Sequence, residues 1–470
     1  MEVSFKKSIG ILLVAFLAIG VFIVLCFDGT ADSGDSVQHY LIARYAFEHP
    51  RLFFDHWGKP FFVLLSAPFA QLGFAGIKLF NLLAAIGSAG LTALCCRRLG
   101  YAHAAWAGLL FICAPYSFEL IFSGLTEHLF GLVLILSVYL ALIGRTAWAV
   151  ALVSLLPFIR SEGLVIMGMW GLYLLAQGRW KLLPLLLVGH VAYALAGAWA
   201  HGSPLWVFNK IPYATPDSVY GAGELVHFAD QLFYVIGPAL YGLLVLGMIS
   251  MIIRRKAAAE EWWLILGGFL AYFTAHTLFW YFGIFNSMGL KRVLVAVMPL
   301  VAILGLRGLN FVLSWTESRK RLQHALLFLL LAGVLLFPFT KNKAAVDWSS
   351  AFALKTDQQL AQEVAAFIRE TGLQADSTTF FFSHPYLSIT LGLDYFQPEL
   401  RRELDRAALQ SLQPGDVVIW ENWFAVVDKG MALEVLKGRY GLQVLHTFER
   451  EEEGRKEVFV VLGLAHSIPQ

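Results

Sequence analysis

The chain has 470 residues, of which 58% are hydrophobic and 14% are charged, and its formal net charge is +2. With a mean hydropathy of +0.66, this composition excludes an ordinary soluble globular protein and a disordered chain. Lysine and arginine occur in short clusters between apolar runs rather than in one basic stripe, which argues against nucleic-acid binding. The composition predicts an α-helical polytopic membrane protein.

The apolar runs are long enough for about eleven transmembrane helices, since a helix needs about 20 residues to cross roughly 30 Å of hydrocarbon. The first run follows Lys6 and Lys7 and is longer than the core of a usual signal peptide, so we expect a retained signal anchor. The predicted spans are 8–27, 76–95, 102–120, 124–143, 147–159, 163–178, 182–200, 231–253, 261–285, 290–307 and 324–339.

The orientation follows from the positively charged loops, which all fall on one side if the crossings alternate. These loops contain Lys6 and Lys7, Arg97 and Arg98, Arg145, Arg179 and Lys181, Arg254 to Lys256, and Arg319 to Arg321. By the positive-inside rule that side is cytoplasmic. We therefore expect a multi-pass protein of the inner (plasma) membrane with a cytoplasmic N-terminus, and we place loops 28–75 and 202–230 and all residues after Thr340 outside the cytoplasm.

The first external loop, residues 28–75, concentrates ionisable side chains. They are Asp28, Asp32, Asp35, His39, Asp55, His56 and Lys59. Residues 37–49 have the periodicity of an amphipathic helix lying along the interface, which puts Asp35 near its N-terminus. Capping of this helix by Ser33 or Asp35 is one interpretation. The other is general-base catalysis, worth about 10²–10⁴-fold, in which a carboxylate takes the proton of an acceptor hydroxyl. The density of acids favours the second.

Several cations lie at the external face, where the charge rule predicts few: Arg160, Lys210, Lys291 and Arg292. An ionisable group near mid-membrane costs about 2.5–3.5 kcal/mol on insertion scales, although less at the interface. For Lys210, snorkelling of the charge into the headgroups explains the position equally well. For Arg160 and the Lys291-Arg292 pair we favour a site with an anionic partner.

Glu127 begins a predicted crossing on the same side as Asp35, where a functional role and helix capping together with Thr126 are equally good explanations. The 202–224 loop is rich in glycine, proline and aromatic residues. Its Tyr213 and Tyr220 are candidates to contact a sugar ring or a polyprenyl tail, with ordinary interfacial anchoring as the alternative. His276, within a crossing, is interpreted as a hydrogen-bonded packing residue.

From residue 341 onward, charged residues become frequent and apolar runs shorten to strand length. We therefore divide the chain into a membrane domain, 1–340, and a soluble extracytoplasmic accessory domain, 341–470. The pattern predicts a helix at 356–371, strands at 378–383, 416–420, 442–448 and 457–462, and helices at 398–409 and 429–437, which together indicate a small α/β layer.

The membrane part resembles the GT-C superfamily of polytopic glycosyltransferases. The resemblance depends on five features in order. They are Gly34-Asp35 after the first crossing, Asp55-His-Trp-Gly-Lys-Pro60, Thr126-Glu127, Leu156-Pro-Phe-Ile-Arg160-Ser-Glu162-Gly163, and Gly289-Leu-Lys291-Arg292-Val293 leading to Met298-Pro299-Leu300. It implies a mannosyltransferase-like enzyme with a polyprenyl- or dolichyl-phosphate-linked sugar donor and a glycan, lipid or protein acceptor.

The resemblance also implies that an acid of the first external loop is the base, a role that falls by position to Asp35, with Asp32 as the alternative and Glu127 as a further candidate. Arg160, Lys291 and Arg292 then serve the donor phosphate, since arginine binds phosphate oxygens in a two-pronged manner. Lys59, Glu162 and the loop residues Lys210, Tyr213 and Tyr220 complete the predicted substrate-binding set. No metal-ligand spacing is evident, so we expect no cofactor, although the loop's histidines and aspartates leave a divalent ion open.

Two other classes of protein fit parts of this pattern. A membrane transporter or lipid-linked-sugar flippase needs charged or broken helices near mid-membrane and often shows repeat symmetry. A non-catalytic scaffold would make the external acids dispensable. Because the informative charges cluster at one face, the sequence favours catalysis at the membrane surface.

Overall fold

The computed structural model describes residues 2–213, 218, 220–254, 257–316, 318–374, 378–452 and 454–464, and most of them are helical. The α-helices of the first 340 residues are α1 Glu2–Cys26, α2 Asp35–Arg44, α3 Pro60–Ala70, α4 Phe74–Arg98, α5 Trp106–Ile112, α6 Pro115–Leu120, α7 Glu127–Leu142, α8 Thr146–Val153, α9 Gly163–Ala176, α10 Val188–His201, α11 Trp206–Asn209, α12 His227–Arg254, α13 Gly268–Tyr281, α14 Met298–Ser314 and α15 Lys320–Leu336. Short 3₁₀ segments precede α10 and α14, at Trp180–Leu187 and Lys291–Val297, and a π-helical turn, Glu261–Gly267, precedes α13.

Seven of the described helices are long and apolar enough to cross a membrane: Phe5–Cys26, Phe74–Arg98, Trp180–His201, His227–Arg254, Glu261–Tyr281, Lys291–Ser314 and Lys320–Phe339. Each corresponds to a predicted span, which confirms an α-helical polytopic fold. Three further predicted spans are shorter apolar helices, Glu127–Leu142, Thr146–Phe158 and Gly163–Ala176. The number of crossings and their orientation stay predictions.

Two predicted features of the membrane part differ from the structure. Span 102–120 is not one helix but two, α5 and α6, because Pro115 lacks the amide hydrogen that would continue the first helix and instead begins the second. Within the expected external loop 28–75, Pro60–Ala70 forms a short apolar helix, α3, that the length criterion for a crossing had excluded.

The helix α14 is the centre of the membrane part, since nearly all of its apolar window is buried, whereas α1 and α15 are mostly exposed on the outside. Glycines allow α12 to approach it closely. A Cβ atom at Gly308 would lie 1.9 Å from the carbonyl oxygen of Leu243, and one at Gly247 would lie 2.0 Å from that of Leu304. Small residues at such crossings bring helix backbones into van der Waals contact, which is a principal source of helix association in lipid.

The C-terminal part contains α16 Thr356–Glu370, α17 Tyr386–Leu391 and α18 Leu433–Tyr440, with strands β1 Phe380–Phe381, β2 Arg401–Arg402, β3 Val417–Glu421, β4 Leu442–Glu452 and β5 Arg455–Leu464. The strands form one sheet in the order β2-β1-β3-β5-β4. The pairs β1–β2 and β1–β3 are parallel, and β3–β5 and β4–β5 are antiparallel. The predicted small α/β domain and its first helix are confirmed.

The predicted helix at 398–409 is wrong. Residues 401 and 402 instead form β2, which pairs with β1, and a 3₁₀ turn follows at Ala408–Ser411. Strand pairing with a distant segment overrides the local helical propensity here. The last predicted helix, 429–437, begins four residues later, at Leu433.

The C-terminal part contacts the loop that joins α1 to α2. The amide of Gly29 donates to the carbonyl of Phe352 at 2.9 Å, and the buried amide Nε2 of Gln358 donates to Thr30 Oγ1 at 2.5 Å. The ring of Phe424 lies close to Gly34, where an added Cβ would be 3.3 Å from it. The C-terminal part therefore packs directly on the segment that carries Asp32 and Asp35.

Candidate active site

The acidic segment after α1 ends in a capped helix start. Asp32 Oδ1 accepts hydrogen bonds from the amides of Gly34, at 3.0 Å, and Ser36, at 2.9 Å. The N-cap position of α2 is Gly34, and the carboxylate that accepts from these amides belongs to Asp32 rather than to Ser33 or Asp35, the two residues considered from the sequence. Asp35 is the first residue of α2, and its side chain remains 40% exposed.

Arg292 bridges both aspartates. Its Nη1 donates to Asp32 Oδ2 at 3.0 Å, and its Nη2 donates to Asp35 Oδ2. Arg292 reaches them from the 3₁₀ segment that leads into α14, 257 residues from Asp35 along the chain. Asp35, the predicted base, and Arg292, which the sequence analysis assigned to the phosphate of the sugar donor, are therefore in direct contact.

Glu127 lies beneath the arginines. It is fully buried at the start of α7, and its Oε1 accepts from Arg160 Nη1 at 2.6 Å while lying 3.8 Å from Arg292 Nε. The other amino group of Arg160, Nη2, donates to Glu162 Oε1 at 3.0 Å. One buried carboxylate therefore holds two guanidinium groups side by side.

These groups border a cavity of about 560 Å³. Of the predicted site residues, the cavity walls contain Asp35, Lys59, Arg160, Glu162, Tyr213, Tyr220 and Arg292. Asp32 and Glu127 contact the lining arginines without lining the cavity themselves. The remaining walls are mostly apolar and come from the 211–213 loop, α12, α13 and the 285–293 segment.

Two predicted residues lie away from the cavity. Lys291 Nζ is 4.0 Å from the ring centroid of Tyr116, and Lys210 is exposed. Because a 3₁₀ helix has about 3.0 residues per turn, neighbours project about 120° apart, so only one member of the Lys291-Arg292 pair faces the cavity.

The cavity also contains side chains that the sequence did not assign to the site. Lys59 Nζ donates to Ser161 Oγ at 2.9 Å, and Trp57 Nε1 donates to the hydroxyl of Tyr213. His39 stacks on Trp57 with ring centroids 4.7 Å apart. Two positions in the sequence could have indicated these residues. Trp57 lies two residues before Lys59, and Ser161 lies between Arg160 and Glu162.

His276 was interpreted as a packing residue, but it lines the cavity with its Nε2 3.7 Å from Glu162 Oε1. A histidine inside a transmembrane helix is itself a signal of function. The sequence could not show which wall of the helix bundle it faces.

Strained backbone is concentrated at the cavity. Among the described residues, six that are not glycine have positive φ, and four of them line the cavity: Lys59, Tyr213, Phe285 and Asn286. Each such residue costs about 1–3 kcal/mol and persists only where its surroundings enforce it. The loops over the cavity are therefore held in specific conformations by the fold.

The two aspartates have opposite pKa shifts. Burial raises the pKa of Asp35, but the attraction of Arg292 and its hydrogen bond, together with His39 and Arg160, lower it by more, so the pKa lies below its usual value. Burial raises the pKa of Asp32, and the neighbouring Asp35 carboxylate adds to this against the opposing effect of Arg292. Asp35 is therefore the more strongly ionised of the two at neutral pH, and it is the one that faces the cavity.

No group of three or more His, Cys, Asp or Glu side chains suited to a metal ion occurs within the described ranges. The expected independence from a metal stays a prediction. The charged groups that line the cavity are two guanidinium groups, an ammonium group and two carboxylates, which suit an anionic ligand with hydroxyl groups.

Comparison with solved structures identifies the architecture. The crystal structure of ArnT from Cupriavidus metallidurans bound to undecaprenyl phosphate matches with a TM-score of 0.67 and 13% identity, covering 98% of this chain and 99% of that one. The chain has the fold of ArnT. The apo structure of ArnT from the same organism matches with a TM-score of 0.66, 13% identity and the same coverage. The polytopic helical fold with a small C-terminal sheet domain, which the sequence predicts, is confirmed.

No protein-family profile matches the sequence, and no curated protein matches it. The likeness to ArnT therefore lies in the fold over the whole length, and it includes both the membrane part and the C-terminal sheet. The functions of individual residues have to be argued from the cavity itself.

Proposed function

We propose that this chain is an integral membrane glycosyltransferase that moves a sugar from a polyprenyl-phosphate-linked donor to an acceptor hydroxyl, with Asp35 as the base. The observation that carries the proposal is the cavity, where an exposed carboxylate lies among three cations in a chain with the ArnT fold. The ArnT crystal structure with undecaprenyl phosphate supports this class of donor.

In the proposed reaction, the acceptor hydroxyl lies against Asp35 and its oxygen attacks the anomeric carbon of the donor sugar. The bond from that carbon to the phosphate oxygen breaks, its electron pair leaves with the polyprenyl phosphate, and the hydroxyl proton passes to Asp35. A single displacement inverts the anomeric centre. General-base assistance of this kind contributes about 10²–10⁴-fold.

The cations bind and stabilise the leaving phosphate. Arg160, Arg292 and Lys59 all line the cavity, and the charge that develops on the leaving oxygen is stabilised by these pre-positioned donors. The apolar walls, including Phe228 and Phe279, suit the first isoprene units of the lipid. Tyr213 and Tyr220 provide aromatic faces for the sugar or the acceptor.

Asp32 and Glu127 receive other roles in this proposal. Asp32 accepts from the amides at the start of α2 and fixes Arg292, so it positions the base rather than acting as one. Glu127 is buried behind the arginines and positions them. Lys291 and Lys210 are left out of the proposed donor site because neither reaches the cavity.

We further propose that the transfer takes place on the extracytoplasmic face, with residues 1–340 as the catalytic membrane domain and 341–470 as an extracytoplasmic accessory domain. The contacts of Gln358 with Thr30 and of Phe352 with Gly29 support a common side for the catalytic loop and the soluble domain. A mannosyl donor is the first to test.

The proposal is tested by incubating the purified chain with a panel of undecaprenyl-phosphate-linked sugars together with glycan, lipid and protein acceptors, and by measuring the release of undecaprenyl phosphate. We expect one donor to be consumed, and Asp35→Asn to lower the rate at least 100-fold, the lower range of general-base contributions. Asp28→Asn is the matched control, because Asp28 is in the same loop but exposed and outside the cavity.

Full activity of Asp35→Asn would overturn the assignment of the base. Movement of an intact sugar lipid across vesicles, without cleavage of any donor in the panel, would instead favour the flippase alternative.

A further inference from the structure

The proposed base, Asp35, forms an ion pair with Arg292, one of the proposed phosphate-binding cations. Each terminal nitrogen of Arg292 donates to a carboxylate, Nη1 to Asp32 and Nη2 to Asp35, and its Nε faces Glu127 at 3.8 Å. A donor phosphate that binds Arg292 in the two-pronged manner needs the same two nitrogens. The phosphate and Asp35 therefore compete for one guanidinium group.

The other two cations of the cavity differ from Arg292. Arg160 is held by Glu127, which is fully buried, and by Glu162, which is 20% exposed. Lys59 donates to the neutral hydroxyl of Ser161, and within the described ranges it forms no ion pair. Arg292, in contrast, is paired with Asp35, which is the proposed base and whose side chain is 40% exposed.

The charge balance of the site shows why an exchange is needed. Four carboxylates face three cations, which leaves one negative charge in excess when the histidines are neutral. These groups are Asp32, Asp35, Glu127 and Glu162, with Lys59, Arg160 and Arg292. A donor phosphate adds another negative charge, and like charges held close together in a site of low dielectric are costly. A donor phosphate that binds both terminal nitrogens of Arg292 therefore has to displace carboxylates from them.

We propose that Arg292 is an exchangeable partner: it holds Asp35 in the donor-free chain and transfers to the donor phosphate, which releases Asp35 to accept the acceptor's proton. The inference rests on the proposed function and deepens it. It makes donor binding a condition for a free base, so the donor adds before the acceptor. As the leaving phosphate gains negative charge, the proton arriving on Asp35 removes one, and Arg292 stays with the phosphate.

The exchange predicts that the base opposes donor binding. We expect Asp35→Asn to bind undecaprenyl phosphate about tenfold more tightly than wild type, since the lost charge-assisted hydrogen bond no longer has to be broken. Binding is measured on the purified full-length chain in lipid nanodiscs, with undecaprenyl phosphate as the probe and no sugar present. The readout is equilibrium affinity, which the loss of activity in this variant does not affect.

A double-mutant cycle separates the exchange from a general effect of negative charge. In the Arg292→Gln background, which should bind the probe more weakly than wild type, we expect Asp35→Asn to leave the affinity unchanged. The control is Glu403→Gln, which removes a carboxylate from Arg401 in the C-terminal domain and should not alter the affinity.

Each possible result decides the question. Equal or weaker binding by Asp35→Asn overturns the exchange while leaving the proposed donor intact. The same tightening in the Arg292→Gln background also overturns it, because the effect then comes from the field of the carboxylate and not from competition for Arg292. Absence of binding by the wild-type chain overturns the donor class and the exchange together.

Discussion

Lys59 is a cation whose position is imposed by the backbone. It precedes Pro60, which disfavours helical geometry at the residue before it, and it takes a φ of +66°. This geometry sends the side chain into the protein, where only 9% of the residue is exposed and Nζ donates to Ser161. The strain of a positive φ is thus associated with a buried charge that faces the cavity.

Burial lowers the pKa of Lys59 to about 8. The ammonium group is therefore mostly charged at pH 7 and mostly neutral at pH 9, so its attraction for a phosphate falls as the pH rises. We expect the affinity for undecaprenyl phosphate to weaken about tenfold over this interval. The phosphate does not mask the effect, because its second ionisation, with a pKa of about 6, is largely complete.

The matched variant is Lys59→Arg, whose guanidinium group stays charged throughout this range. Its affinity should be nearly constant between pH 7 and 9. A pH dependence as steep as that of wild type would show that some other group titrates, and that Lys59 does not contact the phosphate.

At the scale of single residues, the sequence identifies a group when its position breaks a rule. Arg160 and Arg292 stand out because they are cations at the face where few are expected, and both line the cavity. Lys210 and Lys291 break the same rule and do not line it. His276, a histidine within a predicted crossing, is itself a signal of function, but the sequence does not show whether it lines the cavity or packs between helices. Asp32 could not be identified as the acceptor at the start of α2, because several neighbouring residues can also accept from the first amides of a helix.

At the scale of helices, Glu127 joins three elements that are distant in the sequence. It starts α7, while Arg160 precedes α9 and Arg292 precedes α14. Removing one partner of a buried ion pair leaves an uncompensated charge and costs about 3–5 kcal/mol. The carboxylate is therefore expected to be a main determinant of how these three helix ends fit together.

We expect Glu127→Ala to lower the thermal midpoint of the detergent-solubilised chain by several degrees, and Glu127→Gln to lower it less because the amide oxygen still accepts from Arg160. Glu48→Ala is the control. Glu48 pairs with Arg44, but the two side chains are 45% and 32% exposed, and exposed pairs contribute about 0–1 kcal/mol. Equal shifts for the buried and the exposed acid would contradict the structural role of Glu127.

Helix positions were predictable where an apolar run is long enough to cross a membrane, even where the run contains a proline, as at Pro184 and Pro238. All seven long helices follow from the length of apolar sequence alone. The α5–α6 break depends on whether Pro115 ends a helix or bends it, which the local sequence leaves open. The two-residue strand β2 is too short to leave a pattern, because it is defined by its pairing with β1, whereas β1 lies within the predicted strand 378–383.

At the scale of the whole molecule, the C-terminal domain does more than follow the last helix. Gln358 is fully buried and lies 328 residues from its partner Thr30, whose hydroxyl in turn donates to the carbonyl of Asp32. The soluble domain thereby fixes the loop that carries the candidate base. Periodicity and composition reveal the domain but not this contact, since it depends on two surfaces that meet only after folding.

These contacts place the first loop and the C-terminal domain together, and by the positive-inside rule we expect their side of the membrane to be extracytoplasmic. The helix α15 separates two exposed positions, Arg319 and Lys343. In a variant without the exposed Cys26, we expect a membrane-impermeant maleimide added to intact cells or spheroplasts to label Lys343→Cys and to leave Arg319→Cys unlabelled until the membrane is opened. The reverse pattern would invert the molecule and move the proposed chemistry to the cytoplasmic face, and labelling of both positions would mean that α15 does not cross.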